Sequence, residues 1–356
     1  PAPAPAAPVP ADTRTSRVIV AGDSLADVGT FGFKATVQNA ADPDAGYPVY
    51  PEIVATQLGA GPVCNHFASP DGEAFTTREG CTNFAVGGAS IVNPIRPAAS
   101  GVPLSVPFQV KTPAPASGGA WRAGDLVLVD AGGNDAAALA EAFLDARGGG
   151  ADAAVYLALL AQQLEEAEIA EALAQPDGGS VAAGLYMQRL AQTWWATLVA
   201  QALDKGATRV AVVDVPDISL TPRFRDAAAE LAATGGAPAA AQFQADLRAW
   251  IAGFNAELAR LAAGEPRVVV VPYFEDFSAQ AATPAQFGLT NVTDASCPPG
   301  DFTSCTDAAL DAAPPPGLAA GWWRTWFYSD GFHPTPRGHE LLAATVERAL
   351  ARAGWR

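Results

Sequence analysis

Histidine, cysteine and positive charge are all scarce in this chain. Its 356 residues include only three histidines, four cysteines, and 21 lysines and arginines against 37 aspartates and glutamates. The formal net charge of −16 opposes nucleic-acid phosphates and anionic membrane surfaces, and the basic residues form no run that would offset it. Nucleic acid is therefore not an expected partner. No apolar run approaches the ~20 residues needed to cross a bilayer, so no transmembrane segment is expected and the chain reads as soluble. The cysteines lack Cys-x-x-Cys spacing and the histidines are scattered, which argues against a zinc site.

Four cysteines allow three pairings. Cys64 and Cys81 flank a polar, turn-rich segment, and Cys297 and Cys305 flank Pro298-Pro299-Gly300. The local pairing Cys64–Cys81 and Cys297–Cys305 closes two surface loops and is the expected one, with reduced buried thiols as the alternative. Disulfides predict an extracytoplasmic protein, secreted or periplasmic. The Ala/Pro tract over residues 1–13 reads as an extended linker of the kind left when an export signal is removed.

Four short runs, Val18–Ala21, Leu126–Asp130, Val210–Val215 and Val268–Val271, are apolar almost throughout and bounded by Gly, Pro, Asp or Arg. Such runs suit strands covered on both faces. A further short strand is expected near Thr82–Ala85. Ala/Leu-rich stretches with helical spacing cover Ala151–Leu173, Val181–Leu203, Ala239–Leu261 and Thr335–Ala351. The alternation predicts an α/β fold, a parallel sheet with helices on both faces. One domain over residues 14–356 is expected, elaborated by a helical insertion near 143–175 and long loops at 39–117 and 274–321. The insertion would form either a lid or a solvated helical pair.

The run Arg17-Val18-Ile19-Val20-Ala21 ends abruptly in Gly22-Asp23-Ser24-Leu25. A buried strand would thus deliver a hydroxyl to the carboxyl edge of the sheet, where open α/β folds place their chemistry. Serine needs an adjacent base. His66 lies in the cysteine-flanked loop and His339 in the last helical stretch, whereas His333 follows Asp330 by three residues in a turn. An Asp-x-x-His turn allows the carboxylate to hold one imidazole nitrogen while the other faces the serine. Simple capping of the last helix is the alternative. Donors to a developing oxyanion are offered by the paired glycines of Asn83-Phe84-Ala85-Val86-Gly87-Gly88-Ala89-Ser90 and by Asn134 in Asp130-Ala131-Gly132-Gly133-Asn134-Asp135.

Taken together and in this order, Gly22-Asp23-Ser24-Leu25, Asn83 to Ala89, Gly132-Gly133-Asn134-Asp135 and Asp330-Gly331-Phe332-His333-Pro334-Thr335 resemble the four blocks of the SGNH/GDSL hydrolase superfamily. The resemblance spans Val18 to Leu350 and is nearest to a bacterial secreted lipase/esterase branch. It implies a flavodoxin-like three-layer α/β/α sandwich with a parallel sheet of about five strands. It assigns Ser24 as nucleophile, His333 as base and Asp330 as its orienting acid. Ser24, Gly88 and Asn134 would form the oxyanion hole, with Gly87 as the alternative to Gly88. No metal or organic cofactor is implied. Thr30 departs from the branch, which carries Asn there, and the few residues after His333 predict no C-terminal β-barrel of the kind some relatives carry.

The activity so implied is hydrolysis of small-molecule or lipid carboxylic esters through an acyl-enzyme on Ser24. Alternatives on the same residues are a carbohydrate O-deacetylase, a metal-dependent phosphoesterase using Asp23, Asp27, Asp135 and Asp330, and a non-catalytic binding domain. Trp322, Trp323 and Trp326 immediately precede Asp330 and are expected either to bind substrate or to pack the last helix.

Overall fold

The valine-rich runs form strands because their β-branched side chains fit a pleated surface. The runs from Val18, Leu126 and Val210 are buried as expected, whereas Val268, Val269 and Val270, on the edge of the sheet, are only half-buried. The computed structural model describes residues 14–92, 103–113, 121–299 and 302–355; the 1–13 tract lies outside them. Four parallel strands make the central sheet: β1 (Arg17–Ala21), β2 (Asp125–Asp130), β3 (Val210–Val213) and β4 (Val268–Val271), in spatial order β1-β2-β3-β4. The third strand ends two residues before the expected Val215. Alternate side chains feed opposite layers. Val127, Val129, Val210 and Val212 enter one core cluster, while Val18, Val20, Leu126, Leu128, Ala211 and Val213 enter the other.

The expected strand near Thr82–Ala85 runs beside β1 without forming a ladder of its own. Val20 N–H donates to Thr82 O (2.9 Å), Phe84 N–H to Val20 O (2.8 Å) and Val86 N–H to Gly22 O (3.2 Å), around one isolated parallel bridge, Val20 to Asn83. Counting that segment, the order is that of a doubly wound sheet whose direction of winding reverses between β1 and β2. Ligand crevices in such sheets open at that reversal, beyond the carboxyl ends of the strands.

On one side of the sheet lie α1 (Tyr50–Gln57), α9 (Tyr273–Ala282) and α11 (Pro336–Arg352). The other side carries α2 (Val106–Lys111), α3 (Gly133–Ala146), α6 (Gly178–Leu198), α7 (Pro222–Gly235) and α8 (Ala237–Ala262). The result is a three-layer α/β/α sandwich. The 143–175 insertion contains α4 (Ala151–Leu160) and α5 (Glu166–Leu173), broken at Ala161–Glu165. Tyr156, Leu159, Leu160, Ile169 and Ala172 bury it in the core cluster that α6 shares. The 274–321 stretch is less of a loop than expected. Beyond the remainder of α9 it holds β5 (Asn291–Ala295), which pairs in parallel with β6 (Trp326–Tyr328), and the short helix α10 (Asp307–Ala312).

Cys64 is bonded to Cys81 with 4.9 Å between Cα atoms, and Cys297 to Cys305 with 5.5 Å. No described helix is long and apolar enough to cross a membrane.

Candidate active site

Each end of the chain contributes a tight turn to the carboxyl edge of the sheet. After β1 the backbone turns at Gly22-Asp23-Ser24-Leu25. Glycine is required at its first position, because a Cβ on Gly22 would lie 1.9 Å from Asp130 Oδ1. Side chains then take the turn's amides one by one. Gly22 N–H donates to Gln109 Oε1 (2.8 Å), Asp23 N–H to Asp130 Oδ1 (2.9 Å) and Leu25 N–H to Asp23 Oδ1 (3.0 Å). Tyr50 Oη–H completes Asp130 by donating to Oδ2 (2.7 Å). Within this turn the Ser24 N–H alone meets no acceptor among the described residues.

The second turn lies between β6 and α11. Ser329 N–H donates to His333 O (2.8 Å), and Tyr328 bridges Pro334, which closes a loop over residues 329–333. Thr335 caps α11 through Gly338 N–H, with Pro336 in the first turn of the helix. Inside the loop Asp330 Oδ1 accepts N–H bonds from Phe332 (2.8 Å) and His333 (2.6 Å), and both carboxylate oxygens reach His333 Nδ1 (2.9 and 3.0 Å). His333 Nε2 stands 2.7 Å from Ser24 Oγ, across 309 residues of chain. Burial pushes the Asp330 carboxyl up, but the hydrogen bond and charge of His333 with the two backbone N–H bonds outweigh it. The group is held below the usual carboxylate range. This geometry matches that of an acid, base and nucleophile relay.

The other two histidines stand elsewhere. His66 Nδ1 faces Arg78 O (3.0 Å), the ring packs on Phe84 and Phe67, and burial lowers its pKa. His339 is wholly buried in α11, accepts a long bond from Tyr50 N–H (3.4 Å), and is pushed down to about 3 by desolvation and then by the charges of His333 and Lys34.

Ser24, Gly87, Gly88 and Asn134 share the floor of an open cleft of about 590 Å³ with His333 and Asp330. Gly88 has φ +80, a conformation that favours glycine, and its N–H meets no acceptor among the described residues. Gly87 N–H, the alternative donor, is already committed to Asp27 Oδ2 (2.8 Å). Asn134, in the first turn of α3, gives one Nδ2 hydrogen to Ala89 O (2.8 Å) and keeps a second. A narrow cavity of about 30 Å³, room for about one water, lies behind the serine between Asp23, Asp130 and Asp214.

With these elements in place, comparison with known families is decisive. The model of the GDSL-like Lipase/Acylhydrolase family matches residues 18–346. The chain belongs to this family. No curated protein matches it. Membership makes this GDSL protein an ester/acyl hydrolase in general terms and agrees with the α/β/α architecture.

Not every expected residue reaches the cleft. Trp323 is buried among Val37, Cys297, Cys305 and Leu310, edge-on to Tyr47, with Nε1 donating to Asp311 Oδ1 (2.9 Å). Trp322 donates to Leu310 O (3.0 Å) and meets Trp326 edge to face at 4.5 Å. None of the three lines the cleft or the cavity behind it. The aromatic walls are instead Phe31, Phe33, Phe302 and Phe332, with Arg223 as the positively charged side chain among the lining residues. Phe33 stacks on Phe302 (5.9 Å), and Phe302 meets the His333 ring edge-on (5.5 Å). Sequence reasoning missed Phe31, Phe33 and Phe302 because the loop of the first two and that of the third lie far apart in sequence, while Phe332 came within the Asp330–His333 turn without a wall role being read for it. The 143–175 insertion contributes no residue to the cleft or the cavity.

Thr30, the departure from the pattern that the resemblance implied, is buried. Its N–H bonds Asp27 Oδ1 (2.8 Å) and its Oγ1 reaches Ala85 O (3.3 Å), so it braces the loop behind the cleft.

Proposed function

We propose that this GDSL hydrolase is a secreted serine esterase that cleaves carboxylic esters carrying acyl groups larger than acetyl. The observation that carries the reading is the 2.7 Å contact of Ser24 Oγ with His333 Nε2, on a histidine whose Nδ1 is held by Asp330. His333 takes the Ser24 proton as Oγ attacks the ester carbonyl. The carbonyl oxygen becomes an oxyanion facing the spare N–H groups of Ser24, Gly88 and Asn134. Collapse expels the alcohol, protonated by His333, and leaves the acyl group on Ser24. Water then enters by the same route: His333 accepts its proton, hydroxide adds to the acyl carbon, and Ser24 leaves with the proton returned. Asp330 stays ionised and stabilises the imidazolium in both halves. No step calls for a cofactor.

The cleft favours lipid or simple esters over O-acetyl groups on carbohydrate. About 590 Å³ lined by four phenylalanines falls in the range of pockets that enclose a drug-sized apolar ligand. The phosphoesterase alternative is disfavoured by how the acids are used. Asp23, Asp27, Asp135 and Asp330 each accept backbone N–H bonds. The two cysteine pairs support placement outside the cytoplasm.

The test is hydrolysis of p-nitrophenyl esters from acetyl to palmitoyl by wild type and Ser24→Ala. Turnover that peaks beyond acetyl and vanishes in the variant is expected. An acetyl-only profile would support the deacetylase, and activity that survives in Ser24→Ala would end the serine mechanism.

A further inference from the structure

Asp27 takes no part in the triad, yet it is buried (4% exposed) and lines the cleft. Its two oxygens are divided between two loops. Oδ1 accepts N–H bonds from Gly29 (2.9 Å) and Thr30 (2.8 Å), just beyond the nucleophile turn, while Oδ2 accepts the N–H of Gly87 (2.8 Å). Burial raises the pKa of this carboxyl, and the three N–H bonds, which favour its charged form, oppose that rise. The nucleophile segment and the Gly87–Gly88 loop are 60 residues apart in sequence and share this one carboxylate. Its effect falls one residue further on. With Gly87 pinned and Gly88 turned to φ +80, the next amide along, Gly88 N–H, is left without an acceptor at the floor of the cleft.

Resting on the serine-esterase reading above, we propose that Asp27 is a positioning residue that sets the oxyanion hole: it pins Gly87 and thereby aims Gly88 N–H at the carbonyl oxygen. Only a carboxylate does this with a side chain of its size, because it accepts at both ends. An asparagine of the same shape has one acceptor oxygen. Whichever way its amide turns, either Gly87 or the Gly29–Thr30 pair faces N–H with N–H. Gly88 stays in place chemically but loses its fixed direction, and preorganised direction is what makes an oxyanion donor effective.

The experiment is Asp27→Asn, assayed with a medium-chain p-nitrophenyl ester and with a trifluoromethyl ketone that adds to Ser24 as a tetrahedral adduct. The expected result is a fall in kcat of about tenfold to a hundredfold with KM changed by less than about twofold, since the donor acts on the transition state. Affinity for the ketone should fall by the same factor as kcat/KM. A purely structural role would lower Tm and leave kcat and ketone affinity of the folded protein unchanged, and that result overturns the proposal. Should the variant not fold, the wild type supplies the answer by amide NMR. On ketone binding the Gly88 N–H resonance should move downfield while that of Gly87 stays, and a stationary Gly88 refutes the assignment. Turnover retained by Ser24→Ala would instead refute the esterase reading, so the two failures remain distinct.

Discussion

Replacing Asp330 by asparagine tests the acid of the proposed relay with little change in shape. Burial alone would favour a neutral carboxyl here, but its partners hold Asp330 below the usual carboxylate range, so it is ionised wherever the enzyme is assayed. Asp330→Asn therefore removes a full negative charge facing His333 Nδ1, against which the carboxylate oxygens lie at 2.9 and 3.0 Å. Oδ1 is kept by the N–H groups of Phe332 and His333, so an amide oxygen can occupy the same place and the loop keeps its form. What is lost is stabilisation of the imidazolium. Two unit charges about 4 Å apart at an effective dielectric near 20 interact by about 4 kcal/mol. At about 1.4 kcal/mol per decade, kcat should fall by about 10³-fold while KM stays nearly constant. The assay is steady-state hydrolysis of a p-nitrophenyl ester, with circular dichroism to establish that the variant is folded. A folded Asp330→Asn protein that keeps more than about a tenth of wild-type kcat would refute the role given to this carboxylate.

Two further outcomes are expected. Trp323→Ala should destabilise the fold by about 3–5 kcal/mol in urea unfolding, the usual cost of deleting a buried large aromatic, with KM unchanged because Trp323 lies outside the cleft; a raised KM at unaltered stability would return it to substrate binding. His339, held at about 3 against an ordinary 6.5, is the second case. Between those values the unfolded chain binds a proton that the folded protein refuses, so this residue's contribution falls as pH drops below 6.5, by about 2 kcal/mol at pH 5. Comparing wild type with His339→Gln at pH 7 and pH 5 isolates that loss, because Asp135 and Asp214, both raised to about 7 by burial, titrate in both proteins. Parallel stabilities at the two pH values would refute it.

Where the sequence was informative, the cause was local. Continuous Val/Leu runs mark β1 to β3 because strands buried on both faces tolerate no polar alternation, and the all-valine run of β4 marks the edge strand although it is only half-buried. Gly22-Asp23-Ser24 and Asp330 to His333 are legible because each turn is built within a few residues. The cleft walls were not legible for the opposite reason: Phe31, Phe33 and Phe302 meet only through the tertiary fold. Proximity in sequence misplaced the tryptophans. Trp322 and Trp323 belong to a short 3₁₀ turn that packs on the Cys297–Cys305 segment, and neither lines the cleft. The buried acids were visible as residue types, but their roles were not, since a backbone N–H partner such as that of Gly87 leaves no mark on composition.

The contact between Ser24 and His333 joins the first strand of the fold to the last helix. A nascent chain therefore carries its serine long before it has a base. Until the segment from β6 through α11 docks on the sheet, Ser24 is an ordinary hydroxyl without the triad to activate it. Such an order of assembly makes catalytic competence a report of complete folding. On the proposed esterase reading, an ester met before that docking is spared by topology alone.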